Sequence, residues 1–158
     1  MCTEKELNEL AFEFFKTFSR FECALKVSGY HWGIDRKAKA NWDTYALTVL
    51  NIIDNPDTEE LREAITYLQN NPPKIQYINS LGASEWKPNN QTGENKAILI
   101  FMYIRQVRNN LFHGGKFSNQ SLDSNRSKAL MENSLLILKA CLDISPDVKQ
   151  AFNEAKLS

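Results

Sequence analysis

Ile100-Phe101-Met102-Tyr103-Ile104-Arg105-Gln106-Val107-Arg108-Asn109-Asn110-Leu111-Phe112-His113-Gly114-Gly115 is the stretch on which the reading of this chain turns. Ile100, Phe101, Ile104, Val107 and Leu111 recur at steps of three and four, the spacing of one helical face. Gly114-Gly115 ends the run. The pattern predicts a helix that starts near Glu94. Its apolar block, Ala97 to Ile104, is the longest uncharged one in the chain and falls far short of the ~20 residues that span a bilayer. The helix therefore belongs to a core and not to a membrane.

Working outward, the same period recurs. Leu7, Leu10, Ala11, Phe14, Phe18, Phe21 and Leu25 place a first helix over about Glu4 to Val27, with Phe12 and Phe15 widening its stripe and Gly29 as its stop. A second helix is expected over Lys37 to Ile53, with Trp42, Tyr45, Ala46, Val49, Leu50 and Ile53 inward, broken by Asn55-Pro56. Asp57 or Thr58 caps a third, through Leu61, Ala64, Ile65 and Leu68 to about Gln69. Pro72-Pro73 ends it, and Lys74 to Gly93 reads as a long excursion with one short extended piece at Ile75 to Ile78. Beyond the glycines, a helix opening near Ser124 carries Leu130, Met131, Leu135, Leu138, Cys141 and Leu142. Ser145-Pro146-Asp147 then opens a short last helix bearing Val148, Ala151, Phe152 and Ala155. The fold class is all-α, a bundle of five to six helices.

Composition sets the outer bounds. A chain of 158 residues fits a single domain, since domains commonly run to ~100–200 residues. The 42% hydrophobic and 24% charged content excludes disorder. With 19 basic and 19 acidic side chains the net charge is zero, which argues against a coat that attracts nucleic acid at long range. The charge is unevenly spread, however. Residues 95–128 hold Lys96, Arg105, Arg108, Lys116, Arg126 and Lys128 against Asp123 alone. The N-terminus has no apolar stretch of a secretory signal, and a cytoplasmic location without membrane association is expected. Cys2, Cys23 and Cys141 form no CxxC pair, and Cys23 and Cys141 read as small core side chains. Two histidines without a regular acidic partner pattern argue against a dedicated transition-metal site, no phosphate-binding glycine motif appears, and no cofactor is expected.

Arg108 lies four residues after Ile104 and three before Leu111, so a helix places it on the apolar stripe. A buried guanidinium is costly without a partner, so Arg108 is expected to face a cleft, a second chain or an acidic residue. His113 falls in the last turn, among unpaired carbonyls at the negative helix end, which favours its protonated form. The glycines allow close approach of a substrate. An arginine with a titratable histidine suits metal-free RNA cleavage: one holds phosphate, the other moves a proton. An arginine in an internal salt bridge beside a helix-end histidine is the alternative.

The run Val107-Arg108-Asn109-Asn110-Leu111-Phe112-His113-Gly114-Gly115-Lys116 resembles the signature of the HEPN superfamily: arginine, four to six residues, then histidine at a helix end, often with a polar residue after the arginine. Phe18-Ser19-Arg20-Phe21-Glu22, continuing to Gly29-Tyr30, resembles the first helix of small stand-alone members. The resemblance implies a HEPN-like helical bundle and a homodimer with a composite cleft. It further implies metal-independent endoribonuclease activity in a toxin–antitoxin or abortive-infection system, with an antitoxin protein as a further partner. Arg108 and His113 would be the catalytic pair and Asn109 their support; Lys116, Arg105, Asn110 and Gly114 would contact RNA. The tyrosine that a subset of the family carries after the histidine has no counterpart, since Gly114, Gly115, Lys116 and Phe117 occupy that stretch. A non-catalytic module of the same fold, binding a nucleotide, RNA or a protein, is the alternative, and a purely structural helical dimer a third. Arg20 and Glu22 read as an ion pair, either lining a cleft or internal. His31, within Gly29-Tyr30-His31-Trp32-Gly33, reads as loop packing, with base stacking as its functional option.

Overall fold

The computed structural model describes residues 2–112 and 124–156. Among these, 65% are helical and 8% lie in strands. The chain is mostly helical, as its apolar periodicity predicts, with two small hairpins added. The order is α1 (Glu4–Val27), β1 (His31–Trp32), β2 (Lys39–Ala40), α2 (Trp42–Thr48), α3 (Leu50–Asp54), α4 (Glu59–Asn70), β3 (Ile75–Ile78), β4 (Ser84–Lys87), α5 (Lys96–Phe112), α6 (Ser124–Asp143) and α7 (Pro146–Glu154).

Both ends of α1 are written into the sequence. Thr3 and Glu6 form a capping box: Glu6 N–H donates to Thr3 Oγ1 (3.1 Å) and Thr3 N–H to Glu6 Oε2 (2.8 Å). At the other end, Gly29 takes φ +92°, Tyr30 N–H reaches Leu25 O (2.8 Å) and Gly29 N–H reaches Lys26 O (3.5 Å). That is a Schellman closure, which a left-handed glycine permits at little steric cost. Between the caps, Leu7, Phe14, Phe18, Phe21, Ala24 and Leu25 are buried where α1 packs against α5, α6 and α7. Phe12 is 59% exposed, and Cys23, expected in the core, is also exposed. Cys141 is buried, and burial pushes its thiol up to about 12.

The expected helix over Lys37 to Ile53 is wrong at its start and in its middle. Residues 37–41 are not helical; Lys39 and Ala40 pair antiparallel with Trp32 and His31. Gly33 makes this ribbon possible, because at φ +100° a Cβ there would lie 2.5 Å from Lys37 O. Asn41 then caps α2, its Oδ1 accepting from Thr44 N–H (3.1 Å). The helix breaks at Val49, whose N–H turns to Ala46 O (3.3 Å), while Thr48 Oγ1 donates to Tyr45 O (2.8 Å). A side-chain hydroxyl thus takes a carbonyl that would otherwise serve the helix ladder. The inward face is nonetheless as read, with Trp42, Tyr45, Ala46, Val49 and Ile53 buried and Leu50 half-buried.

Thr58 is the cap of α4, accepting from Leu61 N–H (3.1 Å). The excursion from Lys74 to Gly93 contains a second hairpin, because Ser84–Lys87 pairs antiparallel with Ile75–Ile78. Asn79 organises its turn: its Oδ1 accepts from the N–H groups of Leu81 (2.9 Å) and Ala83 (3.0 Å), and Gly82 supplies φ +79°. Asn95 caps α5 through Ile98 N–H (2.9 Å). Ser145 precedes α7 without capping it. Its Oγ donates to Cys141 O (2.8 Å) and so accepts from the Tyr45 hydroxyl (2.8 Å).

An aromatic cluster joins these helices. The Trp42 indole stacks on Phe18 (5.1 Å) and Phe21 (5.3 Å) and tilts against Phe101 (5.5 Å). The one polar atom of this buried ring is satisfied by α1, since Trp42 Nε1 donates to Glu22 Oε2 (2.9 Å). This wedge between α1, α2 and α5 fixes the distance at which Arg105 and Arg108 stand from α1. No helix among the described residues is long and apolar enough to cross a membrane.

Candidate functional site

Arg108 lies one turn before the end of α5 and is half-buried, as the stripe position requires. Aromatic rings hold its guanidinium: its Cζ is 5.1 Å from the Phe18 ring centre and 5.7 Å from that of Phe112. Among the described residues Arg108 forms no ion pair, and its Nε is buried without a hydrogen-bond partner. The internal salt bridge considered from the sequence has no partner among the described residues.

Two concavities meet at this side chain. A cleft of about 220 Å³ lies between the end of α1, β2, the start of α2 and α5, and is lined by Glu22, Lys26, Lys39, Trp42, Arg105 and Arg108. A second of about 230 Å³ lies between α1 and the end of α5, and is lined by Phe12, Phe14, Phe15, Leu111, Phe112 and again Arg108. In the second, Phe15 meets Phe112 edge to face at 5.3 Å.

Arg105 stands one turn before Arg108 on the same side of α5. Its Nη2 is 3.4 Å from Asp43 Oδ1, and its Nε is also buried without a partner among the described residues. Burial pulls its titration below the ordinary arginine value and the neighbouring Arg108 adds to this, whereas Asp43 and Glu22 oppose it. The fold thus brings two guanidinium groups together at one cleft wall. Other cations of the positive segment are committed elsewhere: Arg126 donates to Pro72 O (2.7 Å), and Lys128 pairs with Glu132 (3.8 Å).

The remaining site residues read from the sequence divide. Asn109 is half-buried and forms no side-chain hydrogen bond among the described residues. Asn110 faces away from Arg108. Its amide donates to Lys74 O (2.8 Å) and accepts from Gln106 (2.8 Å), tying α5 to the start of β3 beside a small apolar cavity under Trp86. His113, Gly114 and Lys116 lie outside the described residues. Arg20 and Glu22 do not pair with each other. Arg20 stacks on Phe152 (4.2 Å) and donates to its carbonyl (2.8 Å), while Glu22 receives the Trp42 indole. His31 is exposed on β1.

Lys26 and Lys39 are cleft residues that the sequence reading missed. The apolar period from Lys37 to Ile53 predicts a helix over Lys39, whereas the structure places it on a ribbon folded back over α1. The available signal was Gly33 with Asn41, a turn former and a helix cap that together leave no room for a helix from Lys37. Among the described residues no three His, Cys, Asp or Glu side chains cluster in a way that could hold a metal ion. No family model, curated protein or solved structure matches this chain.

Proposed function

We propose that the chain is a metal-independent endoribonuclease of the HEPN kind, acting on RNA in the cytoplasm as the effector of a toxin–antitoxin or abortive-infection system. One observation carries the reading. Arg108 is a half-buried cation at a cleft wall, with a buried Nε that no described residue satisfies and no ion pair among the described residues. An unpaired buried charge is costly, and a site that tolerates one is suited to an anion that arrives later. Phosphate fits the guanidinium fork.

In this reading His113 removes the proton of an RNA 2′-hydroxyl, either directly or by orienting it. The 2′-oxygen attacks the adjacent phosphorus, and the bond to the 5′-oxygen breaks. That oxygen leaves as a hydroxyl after taking up a proton, and the phosphate remains as a 2′,3′-cyclic diester; no water is consumed. Arg108 stabilises the charge that gathers on the phosphoryl oxygens. Asn109, with an amide unengaged among the described residues, orients the pair. Phe12 and Phe112, 59% and 52% exposed beside Arg108, support a homodimer in which a second copy covers the apolar cleft and the two motifs share one active site. An antitoxin protein would then occupy that composite cleft.

The test is incubation of the purified protein with RNA in EDTA, followed by end analysis. Fragments with 2′,3′-cyclic phosphate and 5′-hydroxyl ends are expected. Intact RNA, or cleavage that EDTA abolishes, contradicts the proposal.

A further inference from the structure

The cleft on the polar side of Arg108 has more positive charge than any one side chain explains. Lys26, Lys39, Arg105 and Arg108 line it together with the single carboxylate of Glu22. Glu22 already receives the Trp42 indole N–H, and Asp43, outside the lining, pairs with Arg105. Four cations therefore face two carboxylates. Lys26 and Lys39 form no ion pair among the described residues. Two of the arginine donors, the Nε atoms of Arg105 and Arg108, are buried without partners among the described residues. This surplus is matched by an anion of one or two negative charges.

Size limits what enters. About 220 Å³ is below the ~300–1,000 Å³ of pockets that enclose whole small ligands. The cleft can accept a charged group while the rest of the ligand stays outside. The rim shows where. In the β1–β2 ribbon Trp32 is the direct partner of Lys39, and directly opposed side chains project from the same face of an antiparallel pair. Trp32 is 57% exposed, an unusual position for an indole that no ring packs against among the described residues. A flat aromatic surface therefore stands beside a cation that lines the anion cleft, the combination that binds single-stranded nucleic acid through base stacking and backbone charge.

We infer that a single-stranded RNA segment runs from the Arg108 cleft over the β1–β2 ribbon, with a backbone phosphate on Arg105, Lys26 and Lys39 and the neighbouring base stacked on Trp32. This track lies beside the scissile position and positions the strand without taking part in the chemistry. It rests on the proposed RNA reading for the nature of the ligand, but it is tested without cleavage.

The probe is a labelled single-stranded deoxyoligonucleotide of mixed sequence, which lacks the 2′-hydroxyl and cannot be cut by 2′-oxygen attack. Its affinity is measured in EDTA by fluorescence anisotropy. The charge reversals Lys26→Glu and Lys39→Glu, both at exposed positions, are expected to weaken binding about tenfold or more together and to flatten its salt dependence. Trp32→Ala is expected to weaken it roughly five- to tenfold, and Trp32→Phe to restore most of the loss. On an abasic strand with the same phosphates, Trp32→Ala should have no effect. Absence of saturable binding, or charge reversals that bind like wild type, overturns the track. So does a Trp32 effect that persists on the abasic strand. Displacement by millimolar inorganic phosphate without any gain from bases identifies a free phosphate as the ligand and also overturns it. Intact binding by a protein that cuts no RNA leaves the track standing and removes only the nuclease reading.

Discussion

The two clefts that meet at Arg108 are nearly equal in volume, about 220 and about 230 Å³, and opposite in chemistry. One is walled by Lys26, Lys39, Glu22 and Arg105, the other by phenylalanines and Leu111. The difference comes from what each is built of. The polar cleft forms where α1 ends and a short ribbon folds back, so lysines at a helix end and on a strand are drawn together. The apolar one forms between the middle of α1 and the end of α5, where Leu111 and Phe112 carry the apolar stripe past Val107, the last buried residue of that helix. A guanidinium suits the boundary, since it lies over the Phe18 and Phe112 rings and forms no ion pair among the described residues. Arg108 on its apolar stripe is thus a boundary residue, and among the described residues it is not half of a salt bridge.

Breaking the floor of the polar cleft should have the largest effect. Trp42→Ala empties a buried stack of three rings and orphans Glu22, and should cost ~3–5 kcal/mol in urea denaturation. Phe12→Ala on the rim of the apolar cleft should change stability by no more than ~0.5 kcal/mol, because that ring is mostly in solvent. If sedimentation of Phe12→Asp shows the same self-association as wild type, the apolar cleft is not the dimer face.

A pH series separates both clefts from the core behind them. The Cys141 thiol is pushed up to about 12 from 9.0, so the native state keeps its proton while the unfolded chain loses it. The unfolded state then binds fewer protons, and stability falls as pH rises from about 9 toward 12, by at most roughly 1.4 kcal/mol per unit for this group. Burial raises Tyr45 as well, which steepens the fall above its ordinary value near 10. Cys141→Ala should lessen the slope, and an unchanged slope would remove the thiol as its cause. Asp43→Asn should have only a small effect. The pair with Arg105 is half in solvent, worth no more than ~1 kcal/mol to stability. Its loss should tighten oligonucleotide binding a few-fold, by freeing a cation that faces the polar cleft.

Much of this was legible in the sequence, for reasons that differ by region. The buried residues of α1, α4 and α6 follow their three- and four-residue spacing, and Thr58 and Gly29 act where cap chemistry places them. Arg108 was found because a charge on an apolar period stands out. The polar cleft was not legible. Lys39 and Ala40 make a two-residue strand, too short for any alternation to appear, and the helix of Trp42 begins immediately after it. Ser84–Lys87 was missed because its partner register depends on a turn held by the Asn79 side chain. Cys23 points outward from α1 although its neighbours Phe21, Ala24 and Leu25 are buried, since helical phase decides burial and local composition does not.

The central claim is that Arg108 is an active-site cation at the junction of two clefts. Its most direct test is the single-turnover rate of RNA cleavage in EDTA for wild type, Arg108→Ala, Arg108→Lys and His113→Ala, measured beside thermal denaturation of each. Rates at least ~100-fold lower for all three variants are predicted, with Arg108→Lys impaired because an ammonium lacks the bidentate fork. Their melting temperatures should stay within a few degrees of wild type, by roughly the margin of a partly exposed side chain. Cleavage at the wild-type rate by Arg108→Ala or His113→Ala would contradict the account.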